Sequence, residues 1–261
     1  MTGRSPEALN GFIDETDASE KTLLLLNRTG PEPLVELLDR AFESQSVTIA
    51  DRHVVEGTDD LVCLIEDGEV TATTPFSTLS ESFLLVNVDR YRTGTRQLET
   101  GSFPDVLTGL DDVEFTVRGF PDSNKEKLLL VLISRFIEYR ALEAGSGEFH
   151  STFQRLSRLD DEYGTKTVYE WLAESDVDTH VYGVRDDPSI ADALGVTAHS
   201  GTHEEYRRSW VVVFTPDDEA TTDDAHAALV AVETESNVWR GMWTYDADRV
   251  GRVQSYVRQN F

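Results

Sequence analysis

Residues 125–158 read KEKLLLVLISRFIEYRALEAGSGEFHSTFQRLSR, and the fold turns on them. An unbroken apolar run fills residues 128–133 and continues through Phe136, Ile137 and Tyr139. At 3.6 residues per turn, Leu128, Leu129, Leu130, Leu132, Ile133, Phe136 and Ile137 cover roughly 200° of a helix, about twice the ordinary apolar stripe. Lys127, Ser134, Arg135 and Glu138 share what remains. Such a helix must bury against two partners, either two layers of one protein or one layer and a second subunit. It is too short for the roughly 20 apolar residues that span a bilayer. Gly145-Ser146-Gly147 then breaks it, and residues 149–156 suggest a strand.

Working outward, residues 22–26, 47–50 and 61–65 have the length and composition of strands. Glu66-Asp67-Gly68-Glu69 reads as a hairpin turn into residues 70–73. Leu34, Leu37, Leu38, Ala41 and Phe42 fall at helical spacing, and Pro75 opens a short helix through Leu79. Residues 83–88 read either as another strand or as the continuation of that helix, and residues 113–117 as a strand. Beyond the long helix, residues 167–173 read as a helix and residues 177–184, 196–199, 210–214, 228–233 and 240–244 as strands. An amphipathic helix over residues 247–259 closes the chain, with Asp246 as its N-cap. Residues 216–224 form an acidic surface loop. Strands separated mostly by turns, with few helices, predict a mixed α+β class: two strand-rich sheet regions packed with the long apolar helix and the C-terminal helix. Both halves run strand, helix, then several strands, an order that an old duplication leaves behind, although no identities align.

The chain has 261 residues, enough for one large domain or two smaller ones. It carries 49 Asp and Glu against 23 Lys and Arg, a formal charge of −26, and only Lys21, Lys125, Lys127 and Lys166 are lysines. Dense acid with scarce lysine in a well-patterned sequence is the composition of a protein working in molar salt, where charges are screened within about 3 Å. It points to a halophile, and to an archaeon. The same balance argues against nucleic acid, whose phosphates require a basic patch. The single cysteine, Cys63, excludes an internal disulfide and sits in an apolar strand as a small hydrophobe. No apolar leader opens the sequence, so the expected setting is soluble and cytoplasmic, without a membrane partner.

Motifs for catalysis are thin. The sequence holds no phosphate-binding loop, nucleophile elbow or HExxH pair, and no catalytic residue is assigned. Among the six histidines, His199 and His203 have i,i+4 spacing, but Ser200-Gly201-Thr202 between them reads as a loop, so no metal site is assigned. His180 shares a strand face with Tyr182, either as a histidine satisfied at a sheet edge or as a wall of a ligand site. Trp239, Trp243 and Tyr245 share one face of their strand, and Trp210 and Phe214 one face of another. Such rings suit an ordinary core or a pocket for a planar molecule. Arg155 either reaches for the rim or points inward as an anion clamp. Arg135 and Glu138 make an i,i+3 pair beside Ser134, on a strip that so wide an apolar arc leaves close to buried surfaces.

LLLVLISRFIE at residues 128–138, Phe153-Gln154-Arg155, Val181-Tyr182-Gly183 and Trp243-Thr244-Tyr245-Asp246, in this order and spacing, resemble the DICT sensory domain of diguanylate cyclases and two-component systems. The likeness covers roughly residues 120–250, and the whole chain, with NRTGPEP at residues 27–33, is similar to the stand-alone haloarchaeal members. Residues 1–20 read as a short helix or a loose lead-in and residues 21–120 as an α/β region, and the resemblance implies a sensory domain over 121–261. It also implies a regulatory module without catalysis of its own, linked to light or redox responses, whose recurring polar positions are Ser134, Arg135, Glu138, Gln154 and Arg155. No output domain is recognised in the sequence, so the module would signal through a protein partner or as a homodimer. The expected ligand site combines those five residues with His180, Tyr182, Trp210 and Trp243; its ligand and any cofactor are unassigned.

Overall fold

The short apolar runs of the first third become a four-stranded sheet. A computed structural model describes residues 8–16, 20–28, 35–36, 47–54, 60–88, 103–118, 128–160, 164–187, 189–217 and 225–261. Helix α1 (Leu9–Asp14) precedes β1 (Lys21–Leu26). β2 (Val47–Arg52) pairs parallel with β1, while β3 (Leu61–Glu66) and β4 (Glu69–Pro75) join antiparallel, in the order β2-β1-β3-β4. The β3–β4 turn has φ of 52° at Asp67 and 82° at Gly68, the left-handed pair that a two-residue hairpin of matching twist requires. α2 (Phe76–Val88) follows β4 directly, so residues 83–88 are helix, not strand. The helix expected at residues 34–42 lies outside the described residues apart from Val35 and Glu36, as does most of the loop at 216–224.

α3 (Asp105–Thr108) and β5 (Phe115–Arg118) lead to α4 (Leu128–Ala144), the helix of the apolar run. It stops at Gly145, whose φ of 74° ends the helix and whose N–H bonds back to the Ala141 carbonyl. Then follow β6 (Ser146–Arg155), a 3-10 turn (Leu156–Asp160), α5 (Thr165–Glu174), β7 (Asp176–Val184), α6 (Ser189–Leu194), β8 (Thr197–Ser200) and α7 (Glu204–Arg208). β9 (Ser209–Pro216), β10 (Ala227–Glu235), β11 (Val238–Thr244) and α8 (Ala247–Asn260) complete the described elements. Asp246 caps α8 as expected, its carboxylate accepting from the Arg249 N–H at 2.7 Å. The second sheet runs β5-β11-β10-β9-β6-β7-β8; β6, β7 and β8 are parallel to one another and the other pairings antiparallel. Two mixed sheets with helices between and behind them make this an α+β fold.

The alternation of the second sheet divides two apolar layers. Phe149, Val181, Val212, Phe214, Leu229, Ala231, Trp239 and Trp243 point forward to α4 and α5, in one core with Leu23, Leu25, Val62 and Leu64 of the first sheet. Tyr182, Val211, Val213, Ala228, Val230 and Met242 point backward to α1, α7 and α8. α4 packs on β6, β9 and β10 at one side and on α2 at another, so its two partners are two layers of the same chain. Leu129, Leu130, Leu132, Ile133, Ile137 and Ala141 are fully buried there. Both α1 and β5 belong to the larger sheet's layers, α1 packing on β10 and β11 and β5 pairing with β11. Among the described residues, no helix is long and apolar enough to cross a membrane.

Lys21, one of the four lysines, ties the first sheet to the α3–β5 connection. Its buried ammonium donates to the carbonyls of Gly109 at 3.2 Å and Asp111 at 2.8 Å, and to the Asp111 carboxylate at 3.2 Å. Gly147 fits tightly where β6 crosses β9. Its φ is 129°, and an added Cβ would lie 2.5 Å from the Thr215 carbonyl oxygen and 2.8 Å from the Pro216 Cα. Both neighbours are backbone and cannot swing away. Gly147→Ala is therefore expected to cost about 2 kcal/mol or more, read as a lower denaturation midpoint with an unchanged slope; a midpoint within error of the parent would refute this reading of the crossing.

Candidate functional site

The polar strip of α4 is buried and internally bonded. Arg135 and Glu138 are 4% and 3% exposed. The Arg135 guanidinium donates through Nη1 to Glu138 Oε2 and through Nη2 to Thr165 Oγ1 at 3.1 Å, joining α4 to the start of α5. Next to Arg135 in the chain, Ser134 Oγ donates to the Leu130 carbonyl at 2.8 Å and accepts from the Trp210 indole at 2.9 Å, joining α4 to β9. The strip thus fixes the helix against both neighbours through directional bonds that apolar packing alone cannot supply.

The remaining polar and aromatic side chains near this strip are structural in their contacts. Gln154 donates to the Ser209 carbonyl at 2.8 Å and accepts from Arg158. Arg155 is exposed, which is the rim placement of the two weighed from sequence. Trp243 is fully buried against Phe115, its indole donating to the Thr108 carbonyl at 3.4 Å. Trp210 packs edge-on against Trp239. Tyr169, on α5, donates to Ser151 Oγ at 2.7 Å.

His180 and Tyr182 lie on the other side of the sheet from α4. The nine expected site residues therefore do not converge. Ser134, Arg135, Glu138, Trp210 and Trp243 sit at the forward layer, while His180 and Tyr182 sit behind it, with the sheet between.

Behind the sheet, His180 and Tyr182 have two further ring partners. The parallel register sets His150 opposite His180 and Tyr182 opposite His199. The His150 and His180 rings stack at 4.8 Å and 12°, and those of Tyr182 and His199 at 4.5 Å and 13°. Both separations are close to the spacing between neighbouring strands. Two strings of polar contacts run through this layer. In one, Glu148 Oε2 lies 3.3 Å from His150 Nε2, and His150 Nδ1 lies 2.9 Å from the Tyr182 hydroxyl. In the other, Asp178 Oδ2 lies 3.1 Å from His180 Nε2, and His180 Nδ1 lies 2.9 Å from His199 Nε2. Since an ionised carboxylate only accepts, the consistent assignment has His150 Nε2–H donating to Glu148 and Tyr182 O–H donating to His150 Nδ1. Asp178 lies at ion-pair distance from His180 Nε2, and His180 Nδ1 and His199 Nε2 share one hydrogen.

The two ends of the layer differ in exposure. His150 is 1% exposed and Tyr182 2%, whereas His180 and His199 are half-buried and Asp178 exposed. Burial is the largest cause of the His150 shift down to about 4, with the neighbouring His180 adding to it and Glu148 opposing. Burial also lowers His199, again with His180, and pushes Tyr182 up to about 12. The end of α8 covers the buried side. Gln254 and Arg258 donate to Glu148 Oε2 at 2.9 and 3.0 Å, and the Phe261 ring meets Tyr182 edge-on at 6.1 Å. His203 precedes α7 and packs edge-on against Tyr206 at 4.6 Å, apart from the His199 pairing. Among the described residues, no group of three or more His, Cys, Asp and Glu is arranged to hold a metal ion.

Sequence reasoning selected His180 and Tyr182 and missed His150 and His199 as their partners. The usable signal was the strand–helix–strand order from residue 149 to 199, which makes strands parallel and lets histidines far apart in the chain become neighbours.

No family model matches the chain, and no curated protein does. Among solved structures, polyphosphate kinase from Porphyromonas gingivalis is similar over 63% of this chain and 26% of that one, with 15% identity and a TM-score of 0.38. The chain spans about a quarter of that enzyme's length. A likeness at this level carries no argument about fold or activity.

The buried pair on α4 and the exposed Arg155 should respond differently to mutation. Glu138→Leu withdraws the carboxylate from a buried guanidinium and is expected to cost about 3 kcal/mol or more. Arg155→Ala should stay within about 0.5 kcal/mol of the parent. Equilibrium denaturation of both variants checks the contrast, and equal effects would contradict the placement of the two residues.

Proposed function

We propose that the chain is a non-catalytic sensory or regulatory module of the cytoplasm, of the DICT type, that takes up a small ligand and reports it through a protein partner or a second copy of itself. The observation that carries this reading is the four-ring layer of His150, His180, Tyr182 and His199. It offers flat ring edges and hydrogen-bonding nitrogens at its open side, His180 and His199, and is bonded through Glu148 to a terminal helix at its closed side. A planar ligand with a donor or acceptor in its plane fits the open side, where it would compete for the hydrogen bond between His180 Nδ1 and His199 Nε2. The polar strip of α4 supports a different role for Ser134, Arg135 and Glu138: they hold the helix in register between sheet and α5, and so stiffen the frame on which the layer is mounted.

The second reading is an interaction module or homodimer that binds no ligand. The burial of α4 inside one chain moves such an interface elsewhere. It favours the outer face of the first sheet, where half-buried Leu24, Leu26 and Ile65 share a side with Val70, which is 58% exposed.

A thermal-shift screen with nucleotides and planar chromophores in concentrated salt tests the first reading. A ligand at a hundred times its Kd adds about 2.7 kcal/mol, so a genuine one should raise Tm by about 5 °C or more. That shift should vanish in His180→Ala and His199→Ala. Failure of every compound to move Tm, together with a concentration-dependent dimer in light scattering, would favour the second reading.

A further inference from the structure

We infer that the His150–His180–Tyr182–His199 layer is a proton-operated latch on the end of α8: the closed layer resists an added proton, and acid favours a state in which residues 254–261 lift from the sheet. The inference rests on the regulatory reading for its purpose and names the proton as a stimulus, but the physical event is measured separately.

The hydrogen-bond count carries the argument. With all three imidazoles neutral, the bonds of His150 to Glu148 and Tyr182 and of His180 to His199 each carry one hydrogen, and His150 Nε2 has the Gln254 amide as a second neighbour at 3.4 Å. A proton arriving at His150 must sit on Nδ1, where it meets the hydrogen of Tyr182. That hydroxyl then has to turn away from its acceptor while buried among the His199 and Phe261 rings. A second hydrogen between His180 Nδ1 and His199 Nε2 breaks that bond in the same way. The His180 ring, one strand spacing away at 4.8 Å, opposes a proton on His150.

The charged and titratable groups facing the layer come from every element around it. Glu148 on β6 favours the imidazolium form of His150 and Arg258 on α8 disfavours it, while Asp178 on β7 lies 3.1 Å from His180. Tyr206 on α7 and His203 before it border Phe261. An imidazolium at His150 would also claim the Glu148 carboxylate that holds Gln254 and Arg258, and would repel the Arg258 guanidinium. Lifting the end of α8 hydrates His150 and removes all of these conflicts together.

The sign follows from linkage. His150 is depressed from its ordinary 6.5 to about 4 in the closed state, so the open state binds more protons. Closure is fully favourable above about 6.5 and weakens as pH falls towards about 4. His199, depressed in the same direction, adds to the trend.

Hydrogen exchange on the full chain in concentrated salt, corrected for the intrinsic pH dependence of exchange, tests the latch between pH 7.5 and 5.0. The opening constant of residues 254–261 is expected to rise roughly tenfold or more over that range, while β10 stays protected to a higher free energy. His150→Gln can donate to Glu148 and accept from Tyr182 without titrating, and should flatten the response. The inference is overturned if residues 254–261 track β10 at every pH, if their opening is insensitive to pH, or if His150→Gln responds like the parent. Should that variant fail to fold, NMR titration of the parent imidazoles decides: His150 titrating at or above 6.5 overturns the latch, and titration well below it supports it. Opening of α8 with no response of any ligand or partner leaves the latch standing and removes the regulatory reading; a ligand shift without acid opening does the reverse.

Discussion

A helix that is apolar around more than half its circumference has one stable setting in water, between two layers. α4 imposes this on the chain. The second sheet supplies one layer through β6, β9 and β10, and α2 leads to the other, so the two sheets share a single core. Burying a Leu or Ile side chain contributes about 1.5–3 kcal/mol, and α4 buries several. Polar groups on the same helix could escape only by being bonded in place. Ser134, Arg135 and Glu138 are bonded in place, to Trp210, to Thr165 and to each other. Their burial is a consequence of the apolar arc around them, and their bonds set which rotation of the helix is allowed.

The same sheet separates two chemistries. Its forward face is closed and hydrophobic, with its few polar atoms bridging elements. Its rear face carries the titratable rings, stacked at the spacing that parallel strands dictate. A histidine on one strand has its nearest lateral neighbour on the next, so a run of parallel strands with His at matching heights yields a ring stack without any local sequence motif. The stack is buried where α8 ends and open where β8 forms the sheet edge. A graded exposure of this kind gives chemically identical side chains different affinities for a proton.

Much of the fold was legible because it rests on local periodicity. The strands at 22–26, 61–65 and 177–184, the Asp67-Gly68 turn, the break at Gly145 and the cap at Asp246 each depend on a few adjacent residues, and each lies where the pattern puts it. Residues 83–88 stayed ambiguous because a short apolar run satisfies both periods. The site was less legible. Phe153-Gln154-Arg155 is contiguous in sequence, yet Gln154 bonds to β9 and Arg158 while Arg155 faces solvent. Tyr182 was picked out by its alternation with His180, but the pairing with His150 and His199 is a matter of register between strands far apart in the chain. Periodicity within one strand says nothing of that register. It is set by α5 and α6, whose lengths fix how far each crossover advances the chain.

The excess of acid raises the question of what holds the rear layer together, since self-repulsion opposes compact states. The arginines there are not scattered. Arg240 grips Glu114 with two bonds of 2.6 Å and Asp14 with one of 2.7 Å; Arg249 reaches Asp112 and the Phe12 carbonyl; Arg252 reaches Glu15. All three anchor α1 or the approach to β5 against β11 and α8. Exposed pairs of this type contribute little one by one, but paired forks on a short helix orient it, and α1 has only Leu9, Phe12 and Ile13 to bury. Fixing α1 in turn covers β10 and seats Phe12 edge-on against Tyr256 on α8, 5.8 Å between ring centres. The first part of α8 is therefore held by Val250 and Val253 in packing that no proton disturbs, and its end by Tyr256 and Val257 together with Glu148, which answers to both Arg258 and His150. A helix anchored by apolar contacts at one part and by a titrating network at the next has its weak point built in at a defined place.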